Sequence, residues 1–332
     1  MSTMDSSMIH HKPEIIIHRL PTCESFLDDH LSATYKLLDP ISAAGDDPAA
    51  VRAFLGRHGG KTQALVCVEP IPLGKDILDF LPSLGCVVSA SSGTDHVDLY
   101  ECSRRGISVA NVGDSFSDDV ADYAVGLLLD VLRNVSAADR FVRLGSWLKQ
   151  KEFSLGVRLS GKRVGIVGLG NIGHRIAKRL VSFGCTIAYN SRRIKPKVPL
   201  PFYDNVCDLA FNTDILILCC SLTEETRHMV NKDVLTALGK DGIIINVGRG
   251  ALINESELVK FLVDGRIAGA GLDVFEDEPN VPKELFGFEN VVLSAHNAVC
   301  TPESFTAVID IVVANLDAFF SNKPLLTPVR LN

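Results

Sequence analysis

The chain has 332 residues and a net charge of −7, with 46% hydrophobic and 22% charged residues. This length allows two domains with separate cores, and the composition is typical of an ordinary globular protein. The negative charge argues against nucleic acid or an anionic membrane as the main partner, and no apolar run approaches the ~20 residues that a membrane-spanning helix needs.

The nine cysteines include no C-x-x-C pair, and we expect no metal site. The segment Met1 to Pro13 lacks an apolar core of signal-peptide length, and the final residues, 329 to 332, are not a Ser-Lys-Leu address. We therefore predict a cytoplasmic protein with reduced thiols. Five cysteines in or beside apolar runs are expected in the core: Cys67, Cys86, Cys185, Cys219 and Cys220.

Strands and helices alternate in the first part of the chain, which predicts a small parallel α/β unit. The predicted strands are Ile15–Ile17, Ala64–Val68, Cys86–Ala90 and Ile107–Ala110, and the predicted helices are Asp76–Leu84 and His96–Arg105.

A long helix is predicted next, from Ser117 to about Arg143. Ser117 is suited to cap it, and Asp118 and Asp119 suit the positive end of its dipole. Its broad apolar stripe fits either a core helix or a connecting and dimerising arm, and both interpretations stay open. Gly145-Ser146-Trp147 ends the helix with the only tryptophan of the chain.

A glycine-rich turn follows the apolar run Val164–Val167 and precedes a helical pattern. Its G-x-G-x-x-G spacing, placed between a strand and a helix, favours a dinucleotide site over a plain tight turn. Backbone approach to a pyrophosphate and the positive end of the helix dipole explain this preference. The expected cofactor-binding residues are Gly168, Leu169, Gly170, Asn171, Ile172 and Gly173.

Further apolar strands alternate with helices and predict a doubly wound parallel sheet covered on both faces. The predicted strands are Thr186–Tyr189, Ile215–Cys219, Ile243–Val247, Ile267–Leu272 and Val291–Leu293; the helices are Val206–Ala210, Lys232–Leu238, Glu255–Val263 and 302 to about 320. We predict an α/β fold of two Rossmann-like domains with a cleft between them. Residues 113–298 would form the dinucleotide-binding domain, and residues 1–112 with 299–332 a discontinuous substrate domain.

Three polar groups follow late strands, at the sheet edge where open α/β folds bind ligands. Val247, Gly248 and Arg249 form a turn in which Arg249 could hold a carboxylate or simply form a surface ion pair. Asp273 to Pro279 is rich in carboxylates, and His296 follows the last strand. An anion-binding group, a carboxylate and an imidazole at one edge together favour a catalytic site.

These motifs resemble the D-isomer-specific 2-hydroxyacid dehydrogenases over nearly the whole chain. The similar segments are the glycine turn, Asn246–Gly250, Gly271–Phe275 with Glu278-Pro279, Ser294-x-His296, Ser92-Gly93-x-Asp95-x-x-Asp98 and 118–122. Within the family, the chain looks most like plant glyoxylate/hydroxypyruvate and hydroxyphenylpyruvate reductases. It departs from the family pattern at Ala295, usually proline, and at Asn297, commonly hydrophobic.

The resemblance implies the reduction of a small 2-keto acid by hydride transfer. His296 would donate the proton, Glu278 would hydrogen-bond its imidazole, and Arg249 would bind the substrate carboxylate and polarise the carbonyl. Backbone N–H groups near Ser92 and Gly93 would bind the other carboxylate oxygen across the cleft. Asp273 would orient the nicotinamide, and Val247, Gly248 and Arg249 would contact the cofactor.

The end of the second cofactor-domain strand predicts NADP(H) over NAD(H). An NAD site carries Asp or Glu there, roughly 20 residues past the glycines, to accept from the ribose 2′-OH. This strand instead runs into Asn190, Ser191, Arg192 and Arg193, where a hydroxyl and two cations could bind a 2′-phosphate. The alternative is a solvated basic loop.

Two other functions stay open. A corepressor-like binding protein on the same fold would keep the same polar set without turnover, although no long tail or basic arm favours it. A phosphoglycerate dehydrogenase would usually carry an added regulatory domain. The predicted partners are a 2-keto acid and a second copy of the chain, with no nucleic acid and no membrane.

Overall fold

A computed structural model describes residues 12–21, 27–149 and 153–329. The chain divides into two compact units, Met1–Ser115 with Phe305–Asn332 and Phe116–Ser304. Most of the expectations for the two chain ends concern residues 1–11 and 330–332, which lie outside the described residues. Within the described part of the chain, no helix has both the length and the apolar character needed to cross a membrane.

The first unit is built on a five-stranded sheet with the order β2-β1-β3-β4-β5, in which every pairing is parallel. Side chains of β3 and β4 are buried at every position, because helices cover both faces of the sheet. The strands are β1 (Glu14–His18), β2 (Lys36–Leu38), β3 (Ala64–Cys67), β4 (Cys86–Ser89) and β5 (Ser108–Ala110). The helices are α1 (Asp28–Ser32), α2 (Pro40–Ala44), α3 (Pro48–His58), α4 (Lys75–Leu78) and α5 (Leu99–Arg104).

Two helices of this unit are shorter than predicted. Helix α4 ends at Leu78, not near Leu84, since Pro82 disfavours helical backbone at the residue before it. Helix α5 begins at Leu99 because the Asp98 side chain accepts from the Glu101 N–H and acts as its N-cap. Strand β2 and helices α1 to α3 were not predicted.

The second unit contains a six-stranded sheet with the order β11-β10-β9-β8-β6-β7, again with parallel pairing throughout. The chain winds outward in both directions from β6, so the order reverses between β6 and β8, where folds of this type bind ligands. Its strands are β6 (Arg163–Val167), β7 (Thr186–Asn190), β8 (Ile215–Leu218), β9 (Ile243–Asn246), β10 (Gly269–Leu272) and β11 (Val291–Leu293).

The long predicted helix is two helices, α6 (Ser117–Arg133) and α7 (Val135–Arg143). Asn134 lies between them in the left-handed conformation, with φ 55°, which an α-helix does not accommodate. The predicted Ser117 cap is wrong, since Ser117 is the first helical residue and Phe116 precedes it without a side-chain cap. The later helices are α8 (Asn171–Ser182), α9 (Val206–Phe211), α10 (Lys232–Leu238), α11 (Glu255–Val263) and α12 (Pro302–Phe320).

The cysteines of the described residues are free thiols. Cys67, Cys86 and Cys185 are buried, while Cys219 and Cys220 are partly buried beside the glycine turn. Burial raises the pKa of the Cys220 thiol to about 11, so this thiol is protonated and weakly nucleophilic near neutral pH.

Candidate active site

Two glycines of the turn after β6 are required by close packing. Gly168 has a φ of +100°, and a Cβ atom there would lie 2.6 Å from the Cys220 backbone. A Cβ atom on Gly173 would collide with the Gly168 carbonyl oxygen. Gly168 therefore allows the close approach of the Cys220 backbone after β8, and Gly173 allows helix α8 to pack against the β6 turn.

Gly170 is different, because neither backbone nor packing requires a glycine there. Its φ of −84° is ordinary, and a Cβ atom would meet no protein atom within 4 Å. It precedes α8, whose N-terminus has no side-chain cap and so presents its first N–H groups outward. An open face beside uncapped N–H groups fits the pyrophosphate of a dinucleotide.

The loop after β7 presents two exposed cations. Arg192 and Arg193 are exposed, while the Ser191 hydroxyl donates to the Arg193 carbonyl at 2.7 Å. The preceding Asn190 is buried and donates through Nδ2 to the Tyr203 carbonyl at 2.9 Å. Residues 190 to 195 contain no carboxylate, so this loop can accept a phosphate without repulsion.

The Arg249 turn is fixed by the last residue of β9. Asn246 is fully buried, and its Nδ2 donates to the Arg249 carbonyl at 2.9 Å while its Oδ1 accepts from the Gly248 N–H at 3.0 Å. Arg249 Nη1 donates to the Gly248 carbonyl at 2.9 Å. Gly250 lies so close to the Phe275 backbone that a Cβ atom would collide with it. No role was predicted for Asn246 or Gly250, although a polar residue that ends an apolar strand is a usable signal.

His296 and Glu278 form a direct pair. The His296 Nδ1 atom lies 2.9 Å from Glu278 Oε2, and about a third of each side chain is exposed (32% and 35%). The other carboxylate oxygen, Oε1, accepts from the Phe275 N–H at 2.9 Å. Burial alone would raise the pKa of Glu278, but the His296 hydrogen bond and charge, with the Phe275 N–H and Arg249, lower it below its ordinary value. Glu278 is thus a carboxylate at neutral pH, and its negative charge faces His296 Nδ1.

Asp273 anchors the loop that carries His296. It is buried, and its carboxylate accepts from the Ser294 hydroxyl at 2.7 Å, the Asn297 N–H at 2.8 Å and the Ala298 N–H at 3.0 Å. Its carbonyl accepts from the His296 N–H at 2.8 Å. His296 itself has the left-handed backbone, with φ 53°. This positioning role of Asp273 was not predicted from the sequence, and its contact with the nicotinamide stays a prediction.

A second histidine–carboxylate pair holds the other end of the Glu278 loop. His228 Nε2 lies 2.6 Å from Glu276 Oε1, and the Glu276 N–H donates to Glu255 Oε2 at 3.2 Å. Burial, and then the neighbouring carboxylates of residues 276 to 278, raise the pKa of Glu255. These contacts help to fix the backbone of the loop that carries Glu278, and none of them was predicted from the sequence.

A cavity of about 640 Å³ adjoins the His296 loop within the second unit. Three carboxylates of α6 line it together with Ser294 and Asn297. Each carboxylate has a partner: Asp119 with Thr301 at 2.6 Å, Asp122 with Arg179 at 2.5 Å, and Asp130 with Ser136. The cavity wall is therefore acidic and ordered.

In the first unit, Ser92 and Gly93 lie in the loop after β4. The Ser92 hydroxyl donates to the Gly113 carbonyl at 3.1 Å, and the Ser92 carbonyl accepts from Asn111 Nδ2 at 2.7 Å. Among the residues that the structure describes, no hydrogen bond uses the N–H group of Ser92 or Gly93. These two donors are available to a ligand.

Comparison with known proteins identifies the family. The model of the NAD-binding domain of D-isomer specific 2-hydroxyacid dehydrogenases matches residues 125–298. A glyoxylate/hydroxypyruvate reductase of Arabidopsis thaliana is 53% identical over 320 residues, which cover 96% of this chain and 98% of the relative. The chain belongs to the D-isomer-specific 2-hydroxyacid dehydrogenases.

Another member of this dehydrogenase family, hydroxyphenylpyruvate reductase of Plectranthus scutellarioides, is 49% identical over 84% of this chain and 89% of its own length. Among solved structures, the NADPH-dependent glyoxylate/hydroxypyruvate reductase of Sinorhizobium meliloti, in complex with NADP and malonate, has a TM-score of 0.87. It is 36% identical and covers 96% of this chain and 97% of its own. The predicted family and the predicted class of two parallel-sheet α/β domains are confirmed.

Proposed function

We propose that this dehydrogenase reduces a small 2-keto acid to the D-2-hydroxy acid with NADPH, and that His296 is the general acid. The observation that carries the proposal is the 2.9 Å pair of His296 with an ionised Glu278. Glyoxylate, hydroxypyruvate and 4-hydroxyphenylpyruvate are the candidate substrates. The similar proteins are named as glyoxylate/hydroxypyruvate and hydroxyphenylpyruvate reductases.

The chemistry divides between the cofactor and three side chains. A bound reduced nicotinamide supplies the hydride that the carbonyl carbon needs. His296 gives its proton to the carbonyl oxygen, which becomes the new hydroxyl, and Glu278 stabilises the imidazolium before transfer. Arg249 binds the substrate carboxylate and polarises the carbonyl.

In this proposal, the first unit contributes the N–H groups of Ser92 and Gly93 as donors to a carboxylate oxygen. Residues 1–112 with 299–332 are the substrate domain. Residues 113–298 bind the dinucleotide. The residues that would hold it are the Gly168–Gly173 turn, Val247, Gly248 and Asp273.

Preference for NADPH is proposed from the loop after β7. Ser191, Arg192 and Arg193 can surround a 2′-phosphate, and the absence of a carboxylate from residues 190 to 195 removes the usual acceptor for the NAD ribose. The Sinorhizobium relative, whose structure contains NADP, supports this choice.

We infer a homodimer from the exposed apolar side chains around α7. Trp147 is 68% exposed, and Leu144 and Leu148 beside it are also exposed. Apolar clusters of this kind usually mark interfaces. Basic residues of the same segment, such as Arg140 and Arg143, complement the acidic wall of the cavity next to α6.

Free buried thiols favour a reducing compartment, the cytoplasm.

A substrate panel tests the function. Purified protein is assayed for NADPH and NADH oxidation with glyoxylate, hydroxypyruvate and 4-hydroxyphenylpyruvate, and kcat/KM is compared across all six combinations. We expect turnover with NADPH and at least one of these acids. Cofactor binding without turnover of any keto acid would contradict the proposal and favour the corepressor-like alternative.

A further inference from the structure

A chain of polar contacts crosses the first unit from helix α12 to the loop of Ser92. It begins at Asn315, which is fully buried in α12. The Asn315 Nδ2 atom donates to the Thr327 hydroxyl at 2.9 Å, and Oδ1 accepts from the N–H groups of Leu326 at 3.0 Å and Thr327 at 3.3 Å. One buried amide thus fixes both the backbone and the hydroxyl of Thr327.

Thr327 in turn fixes the backbone of Asn111. The Thr327 hydroxyl donates to the Asn111 carbonyl, and the Asn111 N–H donates to the Thr327 carbonyl at 3.2 Å. The same segment pairs antiparallel with the end of β5 through Ala110 and Pro328. The segment of residues 326–329 therefore extends the edge of the sheet and holds Asn111 in place.

The Asn111 side chain then contacts the loop at both ends of its amide. Its Nδ2 donates to the Ser92 carbonyl at 2.7 Å, and its Oδ1 accepts from the Gly113 N–H at 3.0 Å. The Val112 N–H donates to the Ser91 carbonyl at 3.4 Å. Both peptide groups that precede Ser92 and Gly93 therefore have their carbonyls held from the same side.

Because the peptide group is planar, these carbonyl contacts also fix the directions of the adjoining N–H groups. In a trans peptide the carbonyl and the next N–H point in opposite directions. Fixing the Ser91 and Ser92 carbonyls toward residues 111 and 112 therefore aims the N–H groups of Ser92 and Gly93 the opposite way. These are the two donors assigned above to the substrate carboxylate.

We propose that Asn315, Thr327 and Asn111 are positioning residues that aim the Ser92 and Gly93 N–H groups at the substrate carboxylate and so set the affinity for the keto acid. This inference rests on the proposed function. The three side chains do not touch the substrate. They act through the orientation of two peptide planes, with no part in cofactor binding.

Thr327→Val tests the relay, because valine keeps the shape and removes the hydroxyl. We expect the KM for glyoxylate to rise about fivefold, the scale of one lost hydrogen bond, while the KM for NADPH stays unchanged. Thr327→Ser restores the hydroxyl and should return the glyoxylate KM to the wild-type value. Thr62→Val is the matched control, since Thr62 is equally a threonine of the first unit, is fully buried, and bonds the His58 carbonyl away from this loop.

Hydrogen exchange gives a second readout that does not depend on turnover. Peptides covering residues 89–96 should exchange faster in Thr327→Val than in the wild type or Thr62→Val, with no change in peptides from the glycine turn. The relay is wrong if wild-type protein reduces glyoxylate while Thr327→Val keeps its glyoxylate KM and its exchange in 89–96. If the wild type reduces no 2-keto acid, the proposed function is wrong, and the proposed effect of the relay on keto-acid affinity is wrong with it.

Discussion

In the proposed mechanism, His296 carries the proton and Glu278 keeps it available. The 2.9 Å contact between them aims one ring nitrogen at the carboxylate and leaves Nε2 for the substrate. Arg249 contributes the complementary charge, and its turn is held by Asn246. The residue scale is therefore where the chemistry can be tested most directly.

Removal of the imidazole should stop turnover without preventing cofactor binding. We expect His296→Ala to lower kcat by about 10²-fold or more, the usual effect of losing a general acid. The Kd for NADPH, measured by fluorescence titration, should stay near the wild-type value, as should both parameters in the control His30→Ala. Near-normal turnover by His296→Ala at neutral pH would exclude His296 as the donor.

Replacement of the carboxylate should alter the pH dependence of turnover. The pKa of Glu278 lies below its ordinary value, so wild-type kcat should fall at the acidic end only below the ordinary carboxyl pKa of about 4.3. At the alkaline end, the proposed mechanism predicts that kcat falls when the proton donor is lost. Glu278→Gln removes the charge that favours the imidazolium, so this alkaline fall should begin at lower pH.

The matched control for that profile is Glu276→Gln, which lies in the same loop but pairs with His228. Its alkaline limb should stay close to that of the wild type. An unchanged alkaline limb in Glu278→Gln, measured as kcat against pH at saturating substrate, would remove Glu278 from the proton-transfer pair.

The proposed preference for NADPH can also be tested at single residues. Arg192→Ala removes one charge-assisted contact to a 2′-phosphate, which should raise the KM for NADPH roughly ten- to a hundredfold. The KM for NADH should barely change, because NADH has no phosphate there. Lys197→Ala, an exposed cation of the same loop, should change neither value. Equal loss with both cofactors would show that Arg192 is a general structural contact.

At the scale of elements, the glycine turn separates packing from ligand binding. Gly173→Ala should destabilise the fold by about 1–3 kcal/mol, the cost of overpacking, because its Cβ atom would collide with the Gly168 carbonyl. Gly170→Ala adds the same methyl group to open space, so we expect the Tm to change little and the KM for the cofactor to rise.

Thermal melts and cofactor titrations of both variants check this pair, with the exposed, unhindered Gly60→Ala as control. If Gly170→Ala bound cofactor as tightly as the wild type, the open face would not be the pyrophosphate site.

Elements with strong periodicity or clear ends could be predicted from the sequence. Helices α10 and α11 and strand β11 have the predicted bounds, since Asn231 and Asn254 cap the two helices and the strand is a short apolar run. The break at Asn134 was not predictable, because the left-handed conformation of one residue leaves no periodic signal. Strand β2 spans three residues, too few for a pattern to be recognised.

The sequence predicted that His296, Glu278 and Arg249 follow late strands and lie near one sheet edge, and their catalytic roles stay a prediction. The contacts that support these residues were not predicted. The three bonds from the His296 loop to Asp273 depend on how a loop folds over a buried carboxylate. Such contacts arise from tertiary packing, which neither composition nor spacing specifies.

At the scale of the whole molecule, the proposed homodimer can be tested by its mass in solution. Light scattering at micromolar concentration should give the mass of two chains, because the apolar side chains around α7 need a partner surface. Trp147→Glu with Leu148→Glu should shift the mass toward one chain, whereas Phe211→Glu, an equally exposed apolar position elsewhere, should not. A monomer mass for the wild type would refute the arm.

The left-handed backbone at His296 has a cost that selection for a stable chain alone would avoid. The left-handed conformation costs a residue with a Cβ atom roughly 1–2 kcal/mol relative to ordinary helical backbone, whereas it costs glycine almost nothing. In the proposed mechanism, position 296 thus gives up conformational stability for the chemistry of an imidazole. The three hydrogen bonds that the Asp273 carboxylate accepts offset this cost. The loop can therefore hold His296 in a conformation that is unfavourable for its backbone.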